Sequence, residues 1–366
     1  MPTLKKIVVQ DFRNIAFQEL FFSPNVNCIS GNNGEGKTNL LDAIHYLSMT
    51  KSAFPAADRY LWRHGTDGFT IGGTCLMENG LESRFSIRST AGEKKVVRDE
   101  KPYGRISEHI GVLPVVMVSP GDISLVSESG EERRRLSNAV LSQMNPAYLA
   151  AAQAYNRFLT QRNKVLKEGA PDEELLAVLD ERMAPHAALI HAERARMVQE
   201  LNPAVENYYR LISGGSESVS ISYRSDLDGG SLPDILSAAR QRDYALRYTS
   251  AGVQRDDFVF LMDGQPIRRF GSQGQQKSFL VALKFAQYEI MKAAYGFAPT
   301  LLLDDVFDKL DMNRISNLIA MVAGNEFGQI FITDSNKVRL SGIVDRITED
   351  RAYFDTVGGC FTRVGL

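Results

Sequence analysis

Gly31-Asn32-Asn33-Gly34-Glu35-Gly36-Lys37-Thr38 fits the pattern G-x-x-x-x-G-K-S/T, follows an apolar stretch at residues 26–29, and opens a helical pattern with Leu40, Leu41, Ile44 and Leu47 on one face. Strand, glycine-rich loop and helix in that order form a phosphate-binding P-loop. The glycines let the backbone curl until successive N–H groups point at one anion. The Lys37 ammonium can then bridge the β- and γ-phosphates, and the Thr38 hydroxyl can ligate Mg²⁺. Residues 31–38 are therefore expected to hold a nucleotide.

A second motif lies near the other end. Pro299-Thr300-Leu301-Leu302-Leu303-Asp304-Asp305 is a continuous apolar strand ending in two carboxylates, a Walker B pattern. A buried parallel strand of this kind delivers Asp304 to the Mg²⁺ held by Thr38, and places Asp305 to orient the attacking water. Alone, the string reads equally well as a core strand running into a turn; its pairing with a P-loop favours the functional reading. Far more chain separates the two motifs than a minimal P-loop core uses, so a second lobe is expected between them, as in ABC-type ATPases. Those enzymes carry a Ser/Gly/Gln signature ahead of Walker B. Here Gly271-Ser272-Gln273-Gly274-Gln275-Gln276-Lys277-Ser278 precedes the helical pattern Leu280, Leu283, Phe285, Ala286 and Ile290. Ser272, Gly274 and a helix N-terminus make a second anion site. The plainer reading is a polar loop capping a helix, and the segment's place ahead of Walker B tips the choice towards a signature.

The expected fold class is α/β: an ABC-type P-loop ATPase head, a mixed sheet with flanking helices, carrying an inserted and mainly helical second lobe. Expected boundaries are 1–119 for the first part of the head, 120–245 for the insert and 246–366 for the remainder. Residues 4–30 read as two strands joined around Asp11-Phe12-Arg13-Asn14, and residues 69–98 alternate in period two with a turn at Ala91-Gly92-Glu93. From about 131 the pattern becomes helical. Asn145 can cap a helix with Pro146 at its first position, and Tyr148, Ala152, Tyr155, Leu159 and Leu166 form its apolar stripe up to Gly169. A second run covers about 173–201, where Pro185 should kink or divide it. A third, short helix is expected after Pro203, ended by Gly214-Gly215 and followed by a strand through Val219, Ile221 and Tyr223.

At 366 residues and 44% hydrophobic, the chain can bury a sizeable core. A net charge of −2 gives no global attraction to nucleic acid, so any DNA contact must come from a local basic surface. Cys28, Cys75 and Cys360 are far apart and lack C-x-x-C spacing, which argues against zinc or a disulfide framework. The five histidines show no metal spacing, except that His186 and His191 are close, and they read as ordinary surface or core residues. No apolar run has signal-peptide or transmembrane length, and a soluble cytoplasmic protein without membrane contact is expected.

Over essentially the whole chain these motifs resemble the RecF family of SMC-related DNA-repair ATPases. Besides the P-loop, Ser272-Gln273-Gly274-Gln275-Gln276 and Leu303-Asp304-Asp305-Val306, the likeness includes Phe12-Arg13-Asn14, Ser119-Pro120-Gly121-Asp122-Ile123, residues 130–135, Tyr155-Asn156-Arg157 with Gln161-Arg162-Asn163, and residues 252–257. Departures are Gln254 in place of the family's histidine, Lys277 in place of its arginine, Asp308 in the Asp308-Lys309-Leu310-Asp311 D-loop where serine is common, and Asp334 where transporters carry a switch histidine. The resemblance implies ATP and Mg²⁺ as cofactors and an ATP-dependent homodimer, each site combining Gly31 to Thr38 and Asp304 of one copy with Ser272 and Gly274 of the other. It further implies clamping of double-stranded, gapped DNA (single-stranded DNA is also bound in the family), recombinase loading with RecO- and RecR-type partners, and weak DNA-stimulated hydrolysis that releases the clamp. Lys37, Asp304 and Asp305 would carry the chemistry. Two rivals share the nucleotide motifs: the nucleotide-binding subunit of a transporter, and the ATPase subunit of a nuclease system.

Two basic segments are candidate DNA surfaces: Arg84, Arg88, Lys94, Lys95, Arg98 and Lys101 on the expected hairpin, and Arg157, Arg162, Lys164 and Lys167 along the first helix of the insert. For each segment alone the plainer reading, a solvated face, is the favoured one. Residues 131–135 read as helix-start ion pairs, such as Glu131 with Arg135.

Overall fold

The computed structural model describes residues 1–128, 130–168, 172–215, 217–306, 327–345 and 348–364. The expected D-loop at 308–311 and the helix end at Gly169 lie outside the described residues. In chain order the elements are β1 (Thr3–Phe12), β2 (Ile15–Phe21), β3 (Val26–Ser30), α1 (Lys37–Met49), β4 (Gly68–Leu76), β5 (Glu82–Thr90), β6 (Glu93–Arg98), β7 (Lys101–Pro102) and β8 (Val115–Val118). Then follow α2 (Ser124–Ser127), α3 (Gly130–Met144), α4 (Pro146–Lys167), α5 (Glu173–Ser213), β9 (Val219–Arg224), α6 (Leu232–Leu246), β10 (Asp257–Met262), β11 (Gln265–Pro266), α7 (Ile267–Phe270) and α8 (Gln273–Tyr295). The last described elements are β12 (Thr300–Leu303), β13 (Ile330–Asp334), a helix at Lys337–Val344, β14 (Arg351–Val357) and β15 (Cys360–Val364).

Two compact units result, one of Met1–Asp122, Leu211–Ser213 and Gln287–Leu366, the other of Ile123–Arg210 and Gly214–Ala286. The second boundary falls at Ala286, not near 245, and strand pairing supplies the reason: β10 pairs antiparallel with β9 from Val219↔Met262 to Arg224↔Asp257, which holds residues 257–262 in the second unit.

The first unit contains two sheets. An antiparallel sheet has the order β2-β1-β4-β5-β6-β7, and a mixed sheet has the order β15-β14-β3-β13-β12-β8, parallel throughout except for β15. The two strands expected in residues 4–30 are three, because β3 leaves the antiparallel sheet for the mixed one. Patterning follows this split. β3, β8 and β13 are buried at every position, as suits parallel strands covered on both faces, whereas β5 alternates between exposed and buried positions. The face of α1 carrying Leu40, Leu41, Ile44 and Leu47 is buried in the core, with Phe12, Tyr46 and Phe69 packed edge to face beside it. Each such aliphatic side chain contributes roughly 1.5–3 kcal/mol. This fixes the start of α1, and with it the phosphate loop.

In the second unit Asn145 caps α4 by accepting from the Ala147 and Tyr148 amides at 2.9 and 3.3 Å, with Pro146 in the first turn. The division expected at Pro185 does not occur. α5 runs for 41 residues through both Pro185 and Pro203, and the separate helix expected after Pro203 is its last part. Each proline removes one N–H donor. Against that cost stands a buried stripe continuing past both, including Leu179, Met183, Ala187, Ile190, Leu201 and Val205. Gly214, in the left-handed region at φ 77°, ends the helix. Arg162, expected on a basic face, is 0% exposed; it binds Asp180 at 2.6 Å, Asp243 at 2.7 Å and the Thr249 hydroxyl at 2.8 Å. Asp180 also holds Arg240 at 2.8 Å, so removing Arg162 alone would leave the buried Asp243 carboxylate without its guanidinium, a loss of about 3–5 kcal/mol. No described helix is long and apolar enough to cross a membrane.

Candidate functional site

The phosphate loop joins β3 to α1 and is held by residues distant in sequence. Gly36, at φ 111°, leaves no room for a side chain, since a Cβ there would lie 2.7 Å from the Asn14 amide; at Gly31 a Cβ would meet the Thr356 carbonyl oxygen at 2.6 Å. Asn14 donates to the Glu35 carbonyl at 3.1 Å and accepts from the Asn39 amide at 2.7 Å. The Gly359 N–H donates to the Glu35 carbonyl at 2.8 Å, and the Gly358 N–H donates to the Glu35 carboxylate. Glu35 thus anchors the loop to the turn between β14 and β15, while Asn32, Asn33 and Gly34 are exposed. Gly36, the residue before α1, has no side chain with which to cap the helix's first turn. Lys37 is buried, and its Nζ donates to the Gly31 and Asn32 carbonyls at 2.7 and 3.0 Å. An ammonium folded over the loop in this way is set to transfer its hydrogen bonds to an anion bound there.

Register places the remaining polar groups at the carboxyl ends of adjacent parallel strands, where α/β sheets bind ligands. Leu303 of β12 pairs with Ile332 of β13, and Asp334 pairs with Ser30, which pairs in turn with Asp355 of β14. The chain therefore brings Asp304 to Thr38. The Thr38 hydroxyl lies 2.8 and 3.0 Å from the two Asp304 carboxylate oxygens, and the Thr333 hydroxyl donates to Oδ1 at 2.8 Å. Asp304 is 2% exposed, and burial pushes its carboxyl above the usual range, against the pull of the Thr333 and Thr38 hydroxyls. Asp305, half-buried, follows in the left-handed region at φ 45°, its N–H donating to Thr333 Oγ1 at 3.0 Å. Thr38 and Asp304 are hard oxygen donors side by side, a set that suits Mg²⁺, which takes one or two protein oxygens and completes its shell with phosphate and water.

Ser272 and Gly274 lie in the second unit. Ser272 is exposed and forms a reciprocal capping box at the start of α8: its hydroxyl accepts from the Gln275 N–H at 3.2 Å, and its own N–H donates to Gln275 Oε1 at 2.8 Å. Within one chain the segment therefore caps a helix. The motif at 252–257 is structural here. Arg194 binds Asp256 at 2.5 Å, Arg133 binds Asp257 at 2.8 and 3.1 Å, and Gln254 accepts from the Tyr155 hydroxyl while donating to the Ala251 carbonyl at 2.6 Å. Of the helix-start pairs, Arg135 meets Glu131 at 3.5 Å and Glu132 at 2.9 Å.

Sequence reasoning gave no site role to Thr333, Asn14 or the Gly358-Gly359 turn. Asn14 lies inside the quoted Phe12-Arg13-Asn14 and Thr333 directly precedes Asp334, but nothing in the sequence there shows that one touches the phosphate loop and the other Walker B.

Residues 3–59 match the family described as the RecF/RecN/SMC N-terminal domain. The chain is 42% identical, over 97% of its length and 98% of the relative's, to the DNA replication and repair protein RecF of Porphyromonas gingivalis. It is 40% identical to that of Bacteroides thetaiotaomicron, covering 99% of each. Among solved structures it is similar to the recombination mediator protein RecF–ATP in the RecFOR pathway, at TM-score 0.90 and 29% identity over 100% of this chain and 98% of that one. An Smc head domain from Pyrococcus furiosus shares the fold at TM-score 0.58 and 16% identity, over 100% of this chain and 96% of that one.

The raised Asp304 carboxyl gives a prediction for the ligand-free protein. A carboxyl raised on folding costs stability once pH exceeds its ordinary range near 4, and costs nothing below it. Asp304→Asn should therefore raise the thermal midpoint at pH 7–8 by about 2–4 °C per kcal/mol recovered. That advantage should shrink as pH falls towards about 4. Thermal melts across this pH range check it.

Proposed function

Because the chain belongs to the RecF family of DNA replication and repair proteins, we propose that it is an ATP-dependent DNA clamp of recombinational repair. On this reading Mg²⁺·ATP joins two copies around DNA near gaps, RecO- and RecR-type partners assist recombinase loading, and slow hydrolysis releases the complex. The observation that carries the reading is the convergence of Lys37, Thr38 and Asp304 at the end of the parallel sheet. Residues 31–38 bind the phosphates through backbone N–H groups and Lys37, while Thr38 and Asp304 hold the metal. Bound Mg²⁺ supplies charge that offsets the charge developing on the transferred phosphoryl group. Asp305 orients the attacking water and accepts its proton. Ser272 and Gly274 of a second copy, at the exposed start of α8, close the site from the other side, so that dimerisation follows ligand binding as a population shift. A soluble cytoplasmic protein fits this role.

DNA is assigned to the outer face of the antiparallel sheet. The basic hairpin residues divide between its two faces. Lys94 turns inward to Asp58 at 2.6 Å and the Thr50 carbonyl at 2.9 Å, and Arg98 lies over the Phe85 ring at 5.4 Å. Arg84, Arg88 and Lys95 are exposed, and Arg88 pairs directly opposite Lys95. Like charges directly opposite one another destabilise a sheet, so keeping them there suits a surface that meets phosphates.

Two experiments test these assignments. Ser272→Arg should leave ATP affinity near wild type, because its own phosphate loop is untouched, and abolish DNA-stimulated turnover. Mixing it with Lys37→Met chains should restore part of the turnover through one composite site; full turnover by Ser272→Arg alone would refute the shared site. Arg88→Ala and Lys95→Ala should each weaken DNA binding evenly across sequences and reduce the slope of log K against log salt by about 1. An unchanged slope in fluorescence-anisotropy titrations would move DNA elsewhere.

A further inference from the structure

We infer that Thr333 is a positioning residue for phosphoryl transfer: its one hydroxyl sets the Asp304 carboxylate directly, and sets Asp305 through the backbone that carries it. This deepens the reading above and rests on its assignment of Asp305 to the attacking water. Thr333 is 0% exposed and paired with Ile29 in the register between β13 and β3. A hydroxyl has one proton and two lone pairs. Here the proton goes to Asp304 Oδ1 at 2.8 Å, and a lone pair receives the Asp305 N–H at 3.0 Å.

The second of these bonds bears on catalysis. Asp305 has φ 45°, a conformation that non-glycine residues rarely adopt and that persists only when the surroundings impose it. The chain turns at this residue, immediately after the buried strand β12, and the Thr333 hydroxyl holds its N–H in that turn. The backbone from which the Asp305 side chain projects is thus held by a residue on the neighbouring strand. The next residue of β13, Asp334, does not share the task. It is 1% exposed and forms a two-pronged pair with Arg339 at 2.9 and 2.8 Å. A single bridging hydroxyl also couples the two carboxylates, because a shift of Asp304 on metal binding would pull on the group that holds Asp305.

The test compares Thr333→Val, which matches the shape and removes the hydroxyl, with Thr333→Ser, which keeps the hydroxyl. Both are made in the full chain, and ATP affinity with Mg²⁺ and DNA-stimulated turnover are measured separately. Thr333→Val should bind ATP within about threefold of wild type and turn over at least about tenfold more slowly, as a lost buried hydrogen bond implies. Thr333→Ser should stay within about threefold of wild type in both. In an Asp305→Asn background Thr333→Val should slow turnover by less than it does in the wild type, because the part of its effect that runs through Asp305 is already lost. Normal turnover by Thr333→Val beside a slow Asp305→Asn overturns this inference and leaves the role of Asp305 standing. Normal turnover by Asp305→Asn overturns that role and the inference with it. Equal losses of affinity and turnover in Thr333→Val would mark Thr333 as merely structural. Should Thr333→Val fail to fold, Thr333→Ala against Thr333→Ser isolates the same hydroxyl, and equal turnover in that pair refutes the proposal.

Discussion

The buried carboxylate of Asp304 is the constraint on which the head depends. A carboxylate 2% exposed is costly to ionise unless donors surround it, and the donors here are hydroxyls from two other elements: Thr38 on α1 and Thr333 on β13. Meeting that demand requires β12 and β13 to run parallel in the observed register, and requires the loop after β3 to start its helix beside them. The apolar run Leu301-Leu302-Leu303, with no exposure, is what seats the strand deeply enough. The same burial that disfavours the charge in the free protein makes the carboxylate a strong partner for a cation.

The phosphate loop obeys a second constraint, closure by distant chain. Asn14 after β1, the Thr356 carbonyl in β14 and the Gly358-Gly359 turn all touch residues 31–36. A loop that must present its amides to an anion has few internal hydrogen bonds, so its shape is imposed from outside. This explains why the first unit needs both chain ends, and why a long insertion between them is tolerated.

The nucleotide motifs were legible because they are local: residues 31–38 and 299–305 each carry strand, turn and chemistry within one string. The α/β class and the capped start of α4 at Asn145 were legible for the same reason. What escaped was non-local. Whether β3 stayed in the antiparallel sheet could not be read from alternation alone, and the return of the chain at 257–262 to pair with β9 moved the second boundary to Ala286. Arg162 looked like one member of a basic face, yet it neutralises Asp180 and Asp243, one eighteen positions and the other eighty-one positions further along the chain. Pro185 signals a break by the rules of an isolated helix, and the continuous buried stripe of α5 overrode it.

ATP-driven pairing of two copies is the central claim, because the proposed site takes its phosphate loop from one copy and its Ser272 segment from the other. Sedimentation velocity of the wild-type protein, with and without Mg²⁺·ATP, tests it most directly. The account predicts that the 40.7 kDa species shifts to about double its mass with ATP and returns as ATP is consumed. A saturably bound nucleotide with no change in mass would contradict it.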